Sequence, residues 1–315
     1  ADVKDLFDAS TCVLGLGNVV TDDFAVWVEG HYDNMVLAYG NAVRVSRKTY
    51  EDVPLAAYLE RLLEKLEKRK YRVPAGAAKA LARVLTPGEK ARQRFAAVAT
   101  AQAALAQNGA PDLDYNSFFA RMKSWVDDSM VLLADTSIAL YSAAELPIRQ
   151  PNGFIAQAAW NSIGYTPGGA VGVGYAAPDK KAVVFCGDGG FQQTAPAVSD
   201  IVRSGHDAVV FVFNNALYGI EQAFVDPYYF IPDSSGQRHP PEPFDLLHAW
   251  SYAKLVDVVG GGWGATVHTL AELDAALEKA KTNRGLSLID LRIPQDSITV
   301  QMLQQAGVDP QTTAS

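Results

Sequence analysis

Two short polar clusters interrupt otherwise apolar runs in this sequence. AVVFC runs into Gly187-Asp188-Gly189-Gly190, and AVVFVF runs into Asn214-Asn215. An aspartate carboxylate and an asparagine carbonyl are hard oxygen donors suited to Mg2+ or Ca2+. Glycines beside the aspartate leave the backbone bare, so a phosphate group can approach it and the helix N-terminus that follows. Asp188 and Asn215 stand 27 positions apart, the length of one strand–helix–strand crossover. If both apolar runs are strands of one parallel sheet, both clusters lie at its C-terminal edge, where such sheets bind ligands. The pattern implies one site holding a divalent cation and a diphosphate. Gly-Asp-Gly alone is a common turn, and the Asn-Asn after the next apolar run is what gives it weight.

The surrounding elements must be able to build that edge. Strand-like runs occur at 129–135, 181–187, 208–213, 255–259 and 286–293, with helical patterns between them at 194–203 and 269–283, the latter placing Leu270, Leu273 and Leu277 on one face. Strands apolar on both sides and alternating with helices specify an α/β fold, a parallel sheet covered by helices on both faces. Ahead of it, residues 11–20 and 36–45 read as strands, the second containing a Gly-Asn turn signal. In PLAAYLERLLEKLEKRK, Pro54 suits a first helical position, and Leu55, Leu59, Leu62, Leu63 and Leu66 share a face. The Lys65–Arg72 charge run is the solvated end of that helix. Residues 71–112 are Ala-rich and punctuated by Pro and Gly, with a capping box at Thr86-Pro87-Gly88-Glu89 opening a helix to about Gln107. They read as a connector, which gives three segments, 1–72, 73–112 and 113–315.

Composition narrows the function classes. Of 315 residues, 49% are apolar and 20% charged, which excludes wholesale disorder. The net charge of −8 offers no basic field for nucleic acid. Cys12 and Cys186 lie in apolar runs and read as small buried hydrophobes. No apolar stretch reaches the ~18 residues of a membrane span, and residues 1–10 lack a signal-peptide pattern, so a reducing, cytoplasmic setting is expected. The five histidines show no metal-ligand spacing. His239, on the Pro-rich loop SGQRHPPEP, is simplest as a surface residue, and Phe224, Tyr228, Tyr229 and Phe230 fit a pocket wall, a lid or core packing equally. Gly15-Leu16-Gly17 and Gly172-Val173-Gly174 lack the third spaced glycine of a dinucleotide fingerprint, and Gly260-Gly261-Gly262 reads as a turn after a strand.

The Gly-Asp-Gly and Asn-Asn pair resembles the thiamin diphosphate (ThDP) signature. WNSIGYTPGGAVGVGYAAPDKKAVVFCGDGGFQQTAPAVSDIVRSG, then FVFNNALYGIEQAF and LLHAWSYAKL, are similar to the diphosphate-binding domain of the pyruvate, indolepyruvate and phenylpyruvate decarboxylase family, over about 130–293. LGLGNVVTDDF and VSRKTYEDVPLAAYLERLLEKL are more weakly similar to the second half of that family's central domain. The resemblance makes 1–72 part of the central domain, 73–112 a connector and 113–315 the ThDP diphosphate- and Mg2+-binding domain. It implies that the side chains of Asp188 and Asn215 and the carbonyl of Leu217 hold Mg2+. Gly187, Gly189 and Gly190 border the diphosphate, and Ile163 is the large apolar residue beneath the thiazolium. Glu221 is the carboxylic acid near the reacting centre, Ile220 lines the substrate pocket, and Thr136 is the polar contact to the aminopyrimidine, although DTSIAL departs from the family pattern there.

The implied reaction is non-oxidative decarboxylation of a 2-oxo acid to an aldehyde and CO2, with the cofactor accepting electrons as CO2 leaves. The family activates ThDP with a glutamate on a separate pyrimidine-binding domain, which the resemblance places upstream of the central domain. A second polypeptide carrying that domain is therefore expected, in an assembly of at least two of each domain. Carboligation of the acetolactate-synthase type and a cofactor-binding subunit without turnover are the competing expectations.

Overall fold

Four short strands build the N-terminal unit, residues 1–103: β1 (Val13–Leu16), β2 (Met35–Tyr39), β3 (Ala42–Val45) and β4 (Lys48–Glu51), ordered β1-β2-β3-β4. The computed structural model describes Phe7, Ser10 and residues 12–18, 28–72, 113–157 and 159–307. β1 pairs parallel to β2, while β2, β3 and β4 run antiparallel. The two-residue connection Gly40-Asn41, with Gly40 at φ 53, makes the tight turn its sequence predicts. Helix α1 (Leu55–Lys68) follows Pro54, which sits just outside the first turn rather than in it. Leu55, Leu59, Leu62 and Leu66 are half-buried, whereas Leu63 turns outward and is exposed. The predicted capping box at Thr86–Glu89 and its helix lie outside the described residues.

The second unit, residues 104–315, alternates helices and strands: α2 (Tyr115–Trp125), β5 (Met130–Ala134), α3 (Ile138–Ala143), β6 (Phe154–Ala156), α4 (Thr166–Ala176), β7 (Lys181–Gly187), α5 (Asp188–Thr194), α6 (Ala197–Ser204), β8 (Ala208–Asn214), α7 (Gly219–Val225), α8 (Leu255–Val259), β9 (Trp263–Val267), α9 (Leu270–Thr282), β10 (Leu286–Arg292) and α10 (Val300–Gln305). The sheet is parallel throughout, in the order β6-β5-β7-β8-β10-β9.

The period of two in a strand sends alternate side chains to opposite faces. Val183 and Phe185 of β7, Val209, Phe211 and Phe213 of β8, and Ile289 and Leu291 of β10 pack on one face, beneath α2, α3 and α9. Phe118 of α2 meets Phe185, Phe211 and Phe213 edge-on there. Ala182, Val184 and Cys186, with Val210, Val212 and Leu288, pack on the other face against Val173, Phe191, Val198 and Ile201. A strand buried on both faces carries a polar group inside it only where that group is paired, as Asp290 of β10 is with Asn214 and Arg292, so open polar groups fall at the strand ends.

Four expectations are corrected. LVDVV, 255–259, is the helix α8, and the edge strand is Trp263–Val267 instead. Gly260, at φ 73, ends α8 in the left-handed conformation that β-branched residues resist, so the glycines follow a helix and not a strand. The helix expected over 194–203 is α6, which starts only at Ala197; Thr194 closes the preceding α5, and Pro196 between them has no N–H to continue its ladder. β6, only three residues long, has no sequence periodicity to reveal it. Cys186 is buried as expected, but Cys12 is exposed, lying just before β1. Among the described residues, no helix is long and apolar enough to cross a membrane.

Candidate functional site

The neighbouring strands β5, β7 and β8 end together, and their C-terminal residues are the polar ones. β5 runs into Asp135, β7 into Gly187-Asp188 and β8 into Asn214-Asn215. Gly187 pairs in register with Phe213, which sets Asp188 beside the asparagines.

Asp188 is 1% exposed. Its Oδ2 accepts from the Ala216 backbone N–H at 2.7 Å, and its Oδ1 from Gly189 N–H at 2.9 Å. Burial pushes its carboxyl up to about 7 against the pull of these amides. No cationic side chain among the described residues pairs with it. Asn215 is equally buried, and its Nδ2 has no hydrogen-bond partner.

The adjacent Asn214 does a different job. Its Nδ2 donates to Asp290 Oδ1 at 2.8 Å and to the Trp250 carbonyl at 3.1 Å, and Arg292 closes the network through Asp290 Oδ2 at 3.0 Å. Asn214 ties β8 to β10, and Asn215 is left facing the site edge.

The loop after Asn215 is held from both sides. Ala216 adopts φ 57, a conformation a non-glycine residue rarely takes and that persists only where surrounding bonds enforce it. Its N–H goes to Asp188, and its carbonyl accepts from Leu247 N–H at 3.0 Å and from Gln295 Nε2 at 3.2 Å. Tyr218 N–H donates to the Asp245 carbonyl at 2.8 Å. Segment 245–247 thereby pins Leu217, whose carbonyl accepts from Gly219 N–H at 2.8 Å. Asp245 is buried with Oδ2 unpartnered, and burial together with the charges of Glu221 and Glu242 pushes it up to about 6. Glu221 is exposed on the first turn of α7, and Ile220 packs partly buried against the core.

Asp135 organises the other side. It is fully buried, and its Oδ1 accepts from Gly164 N–H at 2.8 Å. Its Oδ2 accepts from Thr166 Oγ1 at 2.7 Å and Thr166 N–H at 3.2 Å. Gly164, at φ 80, also accepts from Thr194 Oγ1, so the Ile163–Gly164 turn is tied to β5 and α5 together. Ile163 is 42% exposed and Thr136 nearly buried, with its Oγ1 lacking a partner.

The glycines are demanded by the chain's own packing. A Cβ on Gly189 would lie 2.2 Å from Cε1 of Tyr218, and one on Gly190 would lie 2.9 Å from Asp135 Oδ1. Gly187 is looser, its nearest neighbour being Ser137 Cβ at 3.3 Å. Asp188, Gly187, Gly189, Gly190 and Asn215 therefore gather at one sheet edge, with Leu217 held on the loop after Asn215 and the Ile163–Gly164 turn tied in through Asp135, while Ile220 and Glu221 lie on α7, which follows. Asp135, Asp245 and the division of labour between the two asparagines were missed. Asp135 did carry a signal, as the one charged residue closing SMVLLAD; Asp245 arrives from a loop with no motif.

The donor set suits a hard divalent cation. It combines one buried carboxylate lacking a cationic partner with an amide oxygen and a backbone carbonyl, all oxygens. Among the described residues, no group of three His, Cys, Asp or Glu side chains could hold a metal.

Residues 136–291 match the family described as thiamine pyrophosphate enzyme, C-terminal TPP binding domain. This chain carries that domain. It is 27% identical over 198 residues to pyruvate decarboxylase 4 of Arabidopsis thaliana, covering 61% of this chain and 30% of that protein. It is 28% identical over 205 residues to pyruvate decarboxylase 1 of Oryza sativa subsp. indica, covering 62% and 31%. Benzoylformate decarboxylase from Polynucleobacter necessarius aligns with a TM-score of 0.48 and 22% identity over 57% of this chain and 33% of that one. The chain thus spans about 30% of the length of its curated relatives.

Proposed function

We propose that the TPP-binding domain holds the diphosphate of ThDP through Mg2+ and serves the decarboxylation of a 2-oxo acid to an aldehyde and CO2. The observation that carries this is the buried Asp188 carboxylate, without a cationic partner, beside an Asn215 whose Nδ2 donor is unpartnered. Mg2+ would be held by Asp188, Asn215 and the Leu217 carbonyl, which the 245–247 segment fixes in place. When bound, ThDP supplies the electron sink for loss of CO2.

The remaining tasks fall to this chain's side chains. Ile163 presents an exposed apolar surface on a turn clamped by Asp135, suited to supporting a flat ring, and Thr136 Oγ1 offers an unsatisfied polar contact beside it. Ile220 supplies apolar wall, and Glu221, on the same turn of α7, holds or releases a proton at its carboxyl oxygens. A pyrimidine-binding domain, on this or another polypeptide, completes the site with its activating glutamate, and the assembly is at least a pair of such units.

Glu221→Gln in the assembled enzyme is expected to slow aldehyde release by about 100-fold or more while ThDP binds within threefold of wild type by calorimetry. Unchanged turnover would remove Glu221 from the reaction. Release of a 2-hydroxy ketone in place of an aldehyde would mark a carboligase. Tight Mg2+–ThDP binding with no CO2 from any 2-oxo acid would mark a cofactor-binding subunit.

A further inference from the structure

The left-handed Ala216 stands between Asp188, which takes its N–H, and Leu217, which follows it in the chain. A peptide group is planar, so fixing the planes on either side of a residue fixes its φ and ψ. The plane before Ala216 is held by its N–H on Asp188 Oδ2 at 2.7 Å. The plane after it is held through the Ala216 carbonyl, which accepts from Leu247 N–H at 3.0 Å and from Gln295 Nε2 at 3.2 Å. An alanine released from such bonds returns to negative φ, because its Cβ crowds the backbone in the left-handed region. A glycine has no such preference.

Gln295 is built into this place. It is half-buried in the turn after β10, where Ser297 N–H donates to the Pro294 carbonyl at 3.1 Å. Ser297 Oγ accepts from Tyr115 N–H at 3.2 Å, and the Ile298 carbonyl accepts from Asn116 Nδ2 at 3.0 Å, so the turn is fastened to α2. The side-chain amide is oriented as well. A carbonyl only accepts, so the NH2 end must face Ala216, and Oε1 at the other end accepts from the Tyr229 hydroxyl at 3.1 Å. Arg238, from the same loop as Tyr229, reaches the neighbouring Asp296 at 2.6 Å and ties that loop to the turn a second time. Of the two donors on the Ala216 carbonyl, Leu247 N–H is backbone and independent of residue type; Gln295 is the donor that depends on a side chain.

We propose that Gln295, oriented by Tyr229, is a positioning residue for the cation site: it holds the peptide after Ala216 in the left-handed turn, and with it the Leu217 carbonyl that follows. This inference rests on the reading of Asp188, Asn215 and Leu217 as the cation's ligands. It gives a role to Tyr229, whose place among pocket wall, lid and core packing the sequence leaves open, and to a glutamine about 80 positions from the loop it serves.

Two readouts on the full chain test it. Electron paramagnetic resonance of Mn2+, titrated in the presence of ThDP, reads the cation's affinity. Amide hydrogen exchange on the metal-free chain reads the loop itself at Ala216 and Leu247, with Ile289 inside β10 as the control for global opening. Gln295→Leu should weaken Mn2+ binding about three- to ten-fold, the size of one neutral hydrogen bond, and speed exchange at Ala216 and Leu247 by a similar factor while Ile289 is unchanged. Tyr229→Phe, which removes one hydroxyl, should fall between wild type and Gln295→Leu. Adding Ala216→Gly to Gln295→Leu should bring Mn2+ affinity back to within about twofold of wild type, because glycine takes the left-handed turn unaided. Should Gln295→Leu fail to fold, by its thermal melt, Tyr229→Phe with and without Ala216→Gly carries the test. Wild-type binding of Mn2+ together with unchanged affinity in the variants overturns this inference alone. So does a Gln295→Leu chain that Ala216→Gly fails to rescue, or one in which Ile289 exchanges faster by the same factor as Leu247. A wild-type chain that binds no Mn2+ with ThDP at millimolar levels overturns the cation reading and this inference with it.

Discussion

Replacing Asp135 by Asn is the sharpest test of how the site is held, because the change preserves shape and alters only charge and donor count. Asp135 accepts three hydrogen bonds, from Gly164 N–H, Thr166 N–H and Thr166 Oγ1, at a position with no solvent exposure. An asparagine has one acceptor oxygen there, not two. If its amide nitrogen faces Gly164, that N–H is orphaned. If it faces Thr166, the hydroxyl can rotate to accept, but Thr166 N–H is orphaned. Either way one buried backbone donor is lost, worth about 1–3 kcal/mol, and the surviving bonds lose their charge assistance. Burial raises the Asp135 carboxyl above its ordinary range, so a neutral side chain recovers part of that cost. The expected net loss is about 1–3 kcal/mol, or roughly 2–12 °C in Tm for a unit of this size. Asp135→Ala, which orphans all three donors and leaves a void, should lose about 3–6 kcal/mol. Differential scanning calorimetry reads both. An Asn variant as stable as wild type, or an Ala variant no worse than the Asn variant, would refute the account of Asp135 as the clamp of the Ile163–Gly164 turn.

Gly164→Ala forces a side chain into φ 80 and sets its Cβ 2.7 Å from the Gly190 carbonyl; it should cost about 2–4 kcal/mol in a thermal melt and weaken ThDP binding, and a neutral result would mean the turn can relax. The metal-free protein should lose stability as pH rises from about 4 to about 7. Asp188 binds its proton more tightly folded than unfolded, so each pH unit in that window removes about 1.4 kcal/mol, levelling above about 7. Melts across pH 4–8 should show this slope shrink in Asp188→Asn and in saturating Mg2+, since a bound cation requires the carboxylate; equal slopes in all three would contradict the burial of an unpaired charge.

What the sequence revealed follows from how strands expose polar groups. AVVFC and AVVFVF are buried on both faces, so the residues that end them, Asp188 and Asn215, stand out in one dimension as they do in three. Asp135 ends SMVLLAD by the same logic, yet its role depends on Gly164 and Thr166, about 30 positions away, and no periodicity links them. The role of segment 245–247, which runs into the LLHAWSYAKL stretch, was illegible for a related reason. It contributes through backbone bonds to Ala216 and Tyr218, which any residue types could make. LVDVV misled because β-branched composition indicates fit to a pleated surface, and here the local turn at Gly260 decided the conformation instead.

Unsatisfied buried groups are scarce in folded proteins, so where they collect is informative. Among the described residues, six buried side-chain atoms lack a partner. Two are Nε and Nη2 of Arg44. Three more, Thr136 Oγ1, Asn215 Nδ2 and Asp245 Oδ2, lie at the C-terminal sheet edge or on the segment pinned to it. The sixth, His206 Nε2, belongs to a ring packed edge-on beneath Tyr175. The left-handed Ala216 sits in the same edge, between Asp188 and the 245–247 segment. Random imperfections would scatter through the two hydrophobic layers of the sheet, where every strand residue is packed. Strain and three of these six unmet polar groups coincide instead at the residues whose chemistry suits a cation and a diphosphate. A fold that gathers open polar groups and a left-handed residue at one sheet edge supports the ligand site proposed there.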